Sequence, residues 1–214
     1  MSDPLFDQLK NAIIEGNGDL IGALVPTCLA TGKTAREILD GALLPGMEVV
    51  GARMKTGDCF IPEVLLSART MQTALDVLKP HLAEGDSMTA GTVVIGTVEG
   101  DLHDIGKNLV AMMLQGAGFE VVNLGTGVTP TQFVEAVREH DAQIIGMSAL
   151  LTTTVPKMKA TIEALGAAGL RDNVRVMVGG APVTQAFADE IGADGYGANA
   201  GGAVDRAKEL LATA

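Results

Sequence analysis

One of the three histidines of the chain, His103, stands in the stretch Gly100-Asp101-Leu102-His103-Asp104-Ile105-Gly106-Lys107-Asn108. An imidazole beside a carboxylate can ligate a metal through one ring nitrogen while the other donates to the carboxylate. That bond fixes the tautomer and raises the basicity of the ligating nitrogen. Asp101, two residues earlier, is spaced to be the partner. The apolar run Thr92–Val98 comes directly before, so the histidine falls on a glycine-flanked loop where a strand hands over to a helix. Alone, a histidine in a turn is more often a satisfied polar residue than a ligand, so its meaning depends on its neighbours.

Two further stretches carry chemical character. Ser148-Ala149-Leu150-Leu151-Thr152-Thr153-Thr154 is rich in hydroxyls and follows the apolar run Gln143–Ser148. Gly179-Gly180-Ala181-Pro182 follows Arg175–Val178 and would let bare backbone approach a bound group. Each has a bland reading, as helix caps and turns for the hydroxyls and a tight turn for the glycines.

The elements that must position these loops come in two blocks. Up to about residue 84 the pattern is helical. Leu5, Leu9, Ile13 and Ile14 share a helical face that ends at Gly16-Asn17-Gly18, and a second run covers Asp19 to Leu29. Thr34-Ala35-Arg36-Glu37 is a capping box opening a helical pattern that reaches Met54, with a bend expected near Pro45-Gly46. After the loop to Phe60, Pro62 suits a first helical turn, and Val64, Leu65, Ala68, Met71, Leu75 and Leu78 stripe one face. Four helices on short loops predict an antiparallel bundle. The polar segment Ala83–Met88 reads as a linker and a hinge near Gly85.

Beyond it, strand-like runs at Thr92–Val98, Glu120–Leu124, Gln143–Ser148, Arg175–Val178 and Gly195-Tyr196 alternate with helix-like ones. The latter run from about Gly106 to Gly116, Pro130 to His140, Val155 to Ala168, Thr184 to Ile191 and Ala200 to Leu211, with a second capping box at Thr129–Gln132. Apolar strands alternating with helices predict an α/β, flavodoxin-like, doubly wound five-stranded parallel sheet in the order 2-1-3-4-5. The expected organisation is a helical cap over residues 1–84, a linker over 85–90 and the α/β domain over 91–214. In that topology the His103, Ser148–Thr154 and Gly179-Gly180 loops fall at one end of the sheet, around its switch point, where ligands bind.

Composition narrows the function classes. The net charge of −11 argues against nucleic acid or an anionic membrane as partner. Cys28 and Cys59 make neither a disulfide framework nor a zinc site and read as small core or pocket residues. With no basic-then-apolar leader pattern at Met1-Ser2-Asp3-Pro4 and no apolar run of membrane-spanning length, the expected location is the cytoplasm.

Taken together, Asp101-x-His103-x-x-Gly106, Ser148-x-Leu150, Gly179-Gly180 and Asp194-Gly195-Tyr196-Gly197-Ala198-Asn199-Ala200 resemble the cobalamin-binding signature of corrinoid proteins, including the cobalamin-binding module of methionine synthase. Upstream, Gly46-Met47-Glu48-Val49-Val50-Gly51 and Phe60-Ile61-Pro62 resemble the helical cap of cobalamin-dependent methyltransferases. The likeness spans essentially the whole chain and is strongest to the corrinoid methyl carriers of methylamine-type methyltransferase systems.

The resemblance implies a cobalamin or related corrinoid held between the two domains, its lower base displaced from cobalt by His103. Its nucleotide tail would thread beside the first strand. Gly100 to Gly106, including Leu102, Asp104 and Ile105, with Gly179, Gly180 and Ala200, would line that site, and Ser148, Leu150 and Thr152 would contact the corrinoid. Thr154 would complete a relay with Asp101 and His103, where the methionine synthase pattern more often has Ser. Phe60 would cover the upper face of the ring, with Met54, Val64 and Leu65 either sharing that wall or forming bundle core.

The implied role is a carrier cycling between cob(I)alamin and methylcob(III)alamin, with no substrate pocket or catalytic base of its own. Its implied partners are a substrate-specific methyltransferase, a second methyltransferase and a reductive activation protein. Two alternatives share the motif. A cobalamin-dependent sensor typically adds a cap tryptophan and a basic DNA-binding domain, whereas this chain contains no Trp. The small subunit of a cobalamin-dependent mutase lacks the helical cap. A response-regulator receiver domain would need an acidic cluster instead of a histidine loop.

Overall fold

A computed structural model describes residues 3–81 and 89–212. The chain divides into two compact units, Met1–Ala90 with Gln115–Gly118, and Gly91–Leu114 with Phe119–Ala214. The segment read as linker and hinge, Ala83–Met88, lies outside the described residues.

The first unit is helical. Helix α1 spans Pro4–Ile14 and starts at Asp3, whose carboxylate accepts the Leu5 N–H. Helix α2 (Gly18–Ala30) is capped by Asn17. The capping box at Thr34 is formed, with the Thr34 and Glu37 side chains each accepting the other's backbone N–H, and opens α3 (Ala35–Ile38).

A π-type turn, Leu39–Leu43, joins α3 to α4 (Leu44–Thr56) without a break. Pro45 explains it. Its ring removes one N–H and crowds the carbonyl four residues back, so the helix widens in the turn before the proline. The expected bend near Pro45-Gly46 is therefore a widened turn just upstream. A Cβ at Gly46 would meet Ile13 Cβ at 2.8 Å, so the glycine lets α4 lie close on α1.

Helix α5 (Ile61–Leu78) carries Val64, Ala68, Met71 and Leu78 into the core with Leu9, Ile13, Ile21 and Leu43. A short 3₁₀ turn, Lys79–His81, follows.

The second unit is the expected sheet. Strands β1 (Thr92–Thr97), β2 (Glu120–Asn123), β3 (Ile144–Ser148), β4 (Arg175–Gly179) and β5 (Gly195–Gly197) are all parallel and ordered β2-β1-β3-β4-β5. The helices between and after them are α6 (Ile105–Gly116), α7 (Pro130–Glu139), α8 (Pro156–Ala167), α9 (Gln185–Glu190) and α10 (Ala200–Ala212). Register aligns Ile95 with Gly146 and Gly146 with Met177, and two residues on, Thr97 with Ser148 and Ser148 with Gly179. Because side chains alternate along a strand, these two rows share one face of the sheet. Val94, Ile145 and Val176 belong to the opposite face and join Phe133, Met158 and Leu165 in the main hydrophobic cluster.

No described helix is long and apolar enough to cross a membrane.

Candidate corrinoid site

The loop between β1 and α6 is held at both ends. Gly100 turns the chain at φ +83°, a left-handed conformation that favours glycine. The hydroxyl of Thr97, the last residue of β1, donates to the His103 carbonyl at 2.9 Å. Between these anchors Asp101 is fully buried, while the side chain of His103 is 50% exposed.

The Asp101 carboxylate is saturated. Oδ1 accepts the His103 backbone N–H at 3.1 Å and faces His103 Nδ1 at 2.8 Å. Oδ2 accepts the N–H groups of Leu150 and Leu151, at 2.8 and 3.1 Å, and the Thr154 hydroxyl at 2.7 Å. Burial by itself would raise the pKa of Asp101. The Thr154, Leu150 and His103 hydrogen bonds outweigh it and hold the group well below the usual carboxylate range.

An ionised carboxylate accepts only, so Nδ1 must be the donor and the proton sits there. The lone pair of a neutral imidazole is then on Nε2. Asp101 thus does two things: it orients His103 and ties the loop after β1 to the loop after β3.

The Thr154 hydroxyl also lies 2.9 Å from the Leu151 carbonyl. With one hydrogen to give, it can serve either acceptor, and the charged carboxylate is the stronger one.

A cleft of about 620 Å³ opens beside His103 at the C-terminal ends of β1, β3, β4 and β5. Among the residues expected at the site, Leu102, His103, Asp104, Ile105, Gly106, Ser148, Leu150, Gly179, Gly180 and Ala200 all line it. Gly180 has φ +131°, and a Cβ there would overlap the Ala149 carbonyl oxygen. Leu102 and Ile105 are 78% and 84% exposed, which makes an apolar rim around the histidine.

The other expected residues fall elsewhere. Gly100, Asp101 and Thr154 support the cleft from outside its lining, and Thr152 is exposed on the loop after β3. Phe60 belongs to the helical unit, where it heads α5 with its N–H on the Glu63 carboxylate and is 69% exposed. Val64 is fully buried bundle core, and Leu65 and Met54 are half-buried.

Two features escaped the motif reading. One is the cleft floor, made by Ile95, Leu109, Val110, Gly146, Met177 and Ala203. A lone glycine inside the apolar strand Ile144–Ser148, which signals close approach, was the available clue. The other is Lys107, buried yet donating to Asn108 Oδ1 at 2.6 Å and Asn123 Oδ1 at 2.7 Å. Asn108 donates in turn to Asp104 at 2.9 Å. This chain fastens the start of α6 to the end of β2. Burial lowers the Lys107 pKa, and the nearby Asp104 charge opposes that.

The residues fit a corrinoid. Among the described residues no group of three His, Cys, Asp or Glu side chains could hold a bare metal ion. A single oriented imidazole suits a metal whose other positions a macrocycle fills, and the cleft beside it can take a long appendage.

A B12 binding domain model matches residues 91–205, and a second B12 binding domain model matches residues 5–79. The chain belongs to the B12-binding family. A corrinoid is therefore its cofactor.

This B12-binding chain is 47% identical to dimethylamine corrinoid protein 1 of Methanosarcina acetivorans, over 98% of its own length and 99% of the relative's. Among solved structures it is similar to a cobalamin-binding protein from Desulfitobacterium hafniense DCB-2, with a TM-score of 0.80 at 33% identity, covering 96% of this chain and 98% of that one. It is also similar to a chain of the methanol:cobalamin methyltransferase complex MtaBC from Methanosarcina barkeri, with a TM-score of 0.89 at 32% identity, covering 100% of this chain and 82% of that one.

Proposed function

We propose that the chain is the methyl-carrying subunit of a corrinoid methyltransferase system, in which His103 would hold the cobalt through Nε2. The observation that carries this reading is the Asp101 carboxylate, which holds Nδ1–H of His103 at 2.8 Å and so presents Nε2 at the mouth of the cleft. Bound there, the corrinoid supplies a cobalt centre that takes a methyl group from a donor and gives it to an acceptor. The protein supplies the rest.

Thr97 and Asp101 fix the loop, so the imidazole would have little freedom to lose on holding a metal. An Nε2 not engaged by a metal would be open to a proton, and the Asp101 carboxylate at Nδ1 would balance the imidazolium charge. Thr154, on the other carboxylate oxygen, keeps that charge on Asp101 instead of letting it bind the proton outright.

Gly179, Gly180 and the floor of the cleft admit the nucleotide tail, and the exposed Phe60 is available to cover a bound group. A substrate-specific methyltransferase, a second methyltransferase and a reductive activator are the partners such a carrier requires. Relatives named for dimethylamine and for methanol support a small methylated compound as the donor, with the choice among donors made by the partner enzyme.

The test is reconstitution with cobalamin, followed by absorption spectroscopy of the wild type and His103→Ala. A corrinoid bound with its own base displaced, and a changed spectrum in the variant with the apo fold intact, are expected. A protein that binds no corrinoid, or a His103→Ala spectrum identical to wild type, overturns the reading.

A further inference from the structure

The cleft is layered, and the layers differ in chemistry. Its polar side chains stand at the mouth, apart from Tyr196, which pairs with Val178 and packs against the cluster on the opposite face of the sheet. Ser148 ends β3, His103 and Asp104 lie on the loop after β1, and Asn199 precedes α10 with its Oδ1 accepting the Gly202 N–H at 2.8 Å. Lys107 lines the cleft, yet its ammonium is turned to Asn108 and Asn123.

Two residues down the strands from Ser148, about 6–7 Å deeper, the row is Ile95, Gly146 and Met177. One helical turn below Gly106 and Ala200, about 5 Å, stand Leu109 and Val110 on α6 and Ala203 on α10. The backbone groups of the strand row are engaged in the parallel ladder. Among the described residues no buried side-chain nitrogen or oxygen lacks a partner. The floor thus offers neither a donor nor an acceptor, apart from the weak sulfur of Met177.

We propose that this floor makes the protein selective for the lower base of its corrinoid, favouring an apolar benzimidazole over a purine. The inference rests on the proposed seating of the nucleotide tail in the cleft and names which tail it takes. A dimethylbenzimidazole edge buries methyl groups against Ile95, Val110 and Met177. An adenine edge carries an amino group and a ring nitrogen, which would leave water without gaining a partner. Leaving one such group unsatisfied costs enough to weaken binding by about tenfold or more.

The experiment titrates the apo-protein with three corrinoids and reads dissociation constants by calorimetry, with absorption spectra reporting displacement of the lower base. These are cobalamin, pseudocobalamin (adenine as lower base) and cobinamide, which has no nucleotide. The inference expects cobalamin to bind at least about tenfold more tightly than pseudocobalamin. Val110→Gln, which adds a polar partner at the floor on a half-buried helix position, should narrow that ratio and leave cobinamide affinity unchanged. Equal affinity of the wild type for cobalamin and pseudocobalamin, or preference for pseudocobalamin, overturns the inference while the methyl-carrier reading stands. If none of the three binds, it is the proposed function that fails. Should Val110→Gln not fold, the wild-type ratio alone decides.

Discussion

The two faces of the central sheet are built to opposite ends. On one, Val94, Ile145, Val176 and Val178 meet Phe133, Met158 and Leu165, and the interior is full. Even its glycine is used, since a Cβ at Gly96 would meet the Phe133 ring at 2.9 Å. On the other face the matching rows hold Gly146 and Gly179, helix α10 offers Ala200 and Ala203, and a cleft remains. A Cβ at Gly106, on its edge, would meet nothing within 4 Å. One face of the sheet is therefore filled along its length, while the other is filled at its start by Val93 and Ile144 and opens into the cleft at its C-terminal end.

The largest expected effect is on the filled face. Phe133→Ala empties a fully buried site and should cost about 3–5 kcal/mol of unfolding free energy, read from denaturant midpoints. If the stability of the apo-protein hardly changes, the two faces are not divided as described.

Next comes the contact that joins the loops at the mouth. Thr154→Val removes one of the buried partners of Asp101 and should destabilise the apo-protein by about 1–3 kcal/mol, with Thr154→Ser recovering most of the loss. A loss in Thr154→Ser with none in Thr154→Val would assign the effect to the methyl group of Thr154 instead of its hydroxyl.

Filling the open face should separate binding from folding. Val110→Phe should weaken corrinoid binding by about tenfold or more and leave the unfolding midpoint near wild type, as measured by cobalamin titration beside thermal melts. A melt that falls as far as that of Phe133→Ala would show that the cleft face, too, was carrying core.

A further effect concerns acid. Asp101 has a folded pKa depressed below its ordinary 3.8, so its contribution to stability is fully present above that value and is lost as pH falls toward the folded one. Asp101→Asn should flatten this part of the acid limb of the stability curve. An unchanged limb would mean that other carboxylates set it.

Much of this was legible in the chain itself, because periodicity reports burial. The strand runs, the capping boxes at Thr34 and Thr129 and the alternation of strand with helix reappear as the parallel sheet ordered β2-β1-β3-β4-β5. The motif placed His103 beside Asp101, and Thr154 was expected to join them. Less legible were contacts between residues far apart in sequence. The Leu150 and Leu151 N–H groups on Asp101 have no side-chain signature. Lys107 reads as a solvent-facing helix residue until Asn108 and Asn123 are seen to hold it. The bend expected at Pro45-Gly46 appears one turn earlier, because a proline disturbs the carbonyl behind it.

The sequence by itself determined which elements form and which loops carry the chemistry, since local spacing and side-chain type set both. Only the tertiary structure decided that five donors converge on one carboxylate, and that the cleft has a polar mouth above an apolar floor. Both depend on strand register, and register is fixed by packing across the sheet, where neighbours in space are fifty residues apart in the chain.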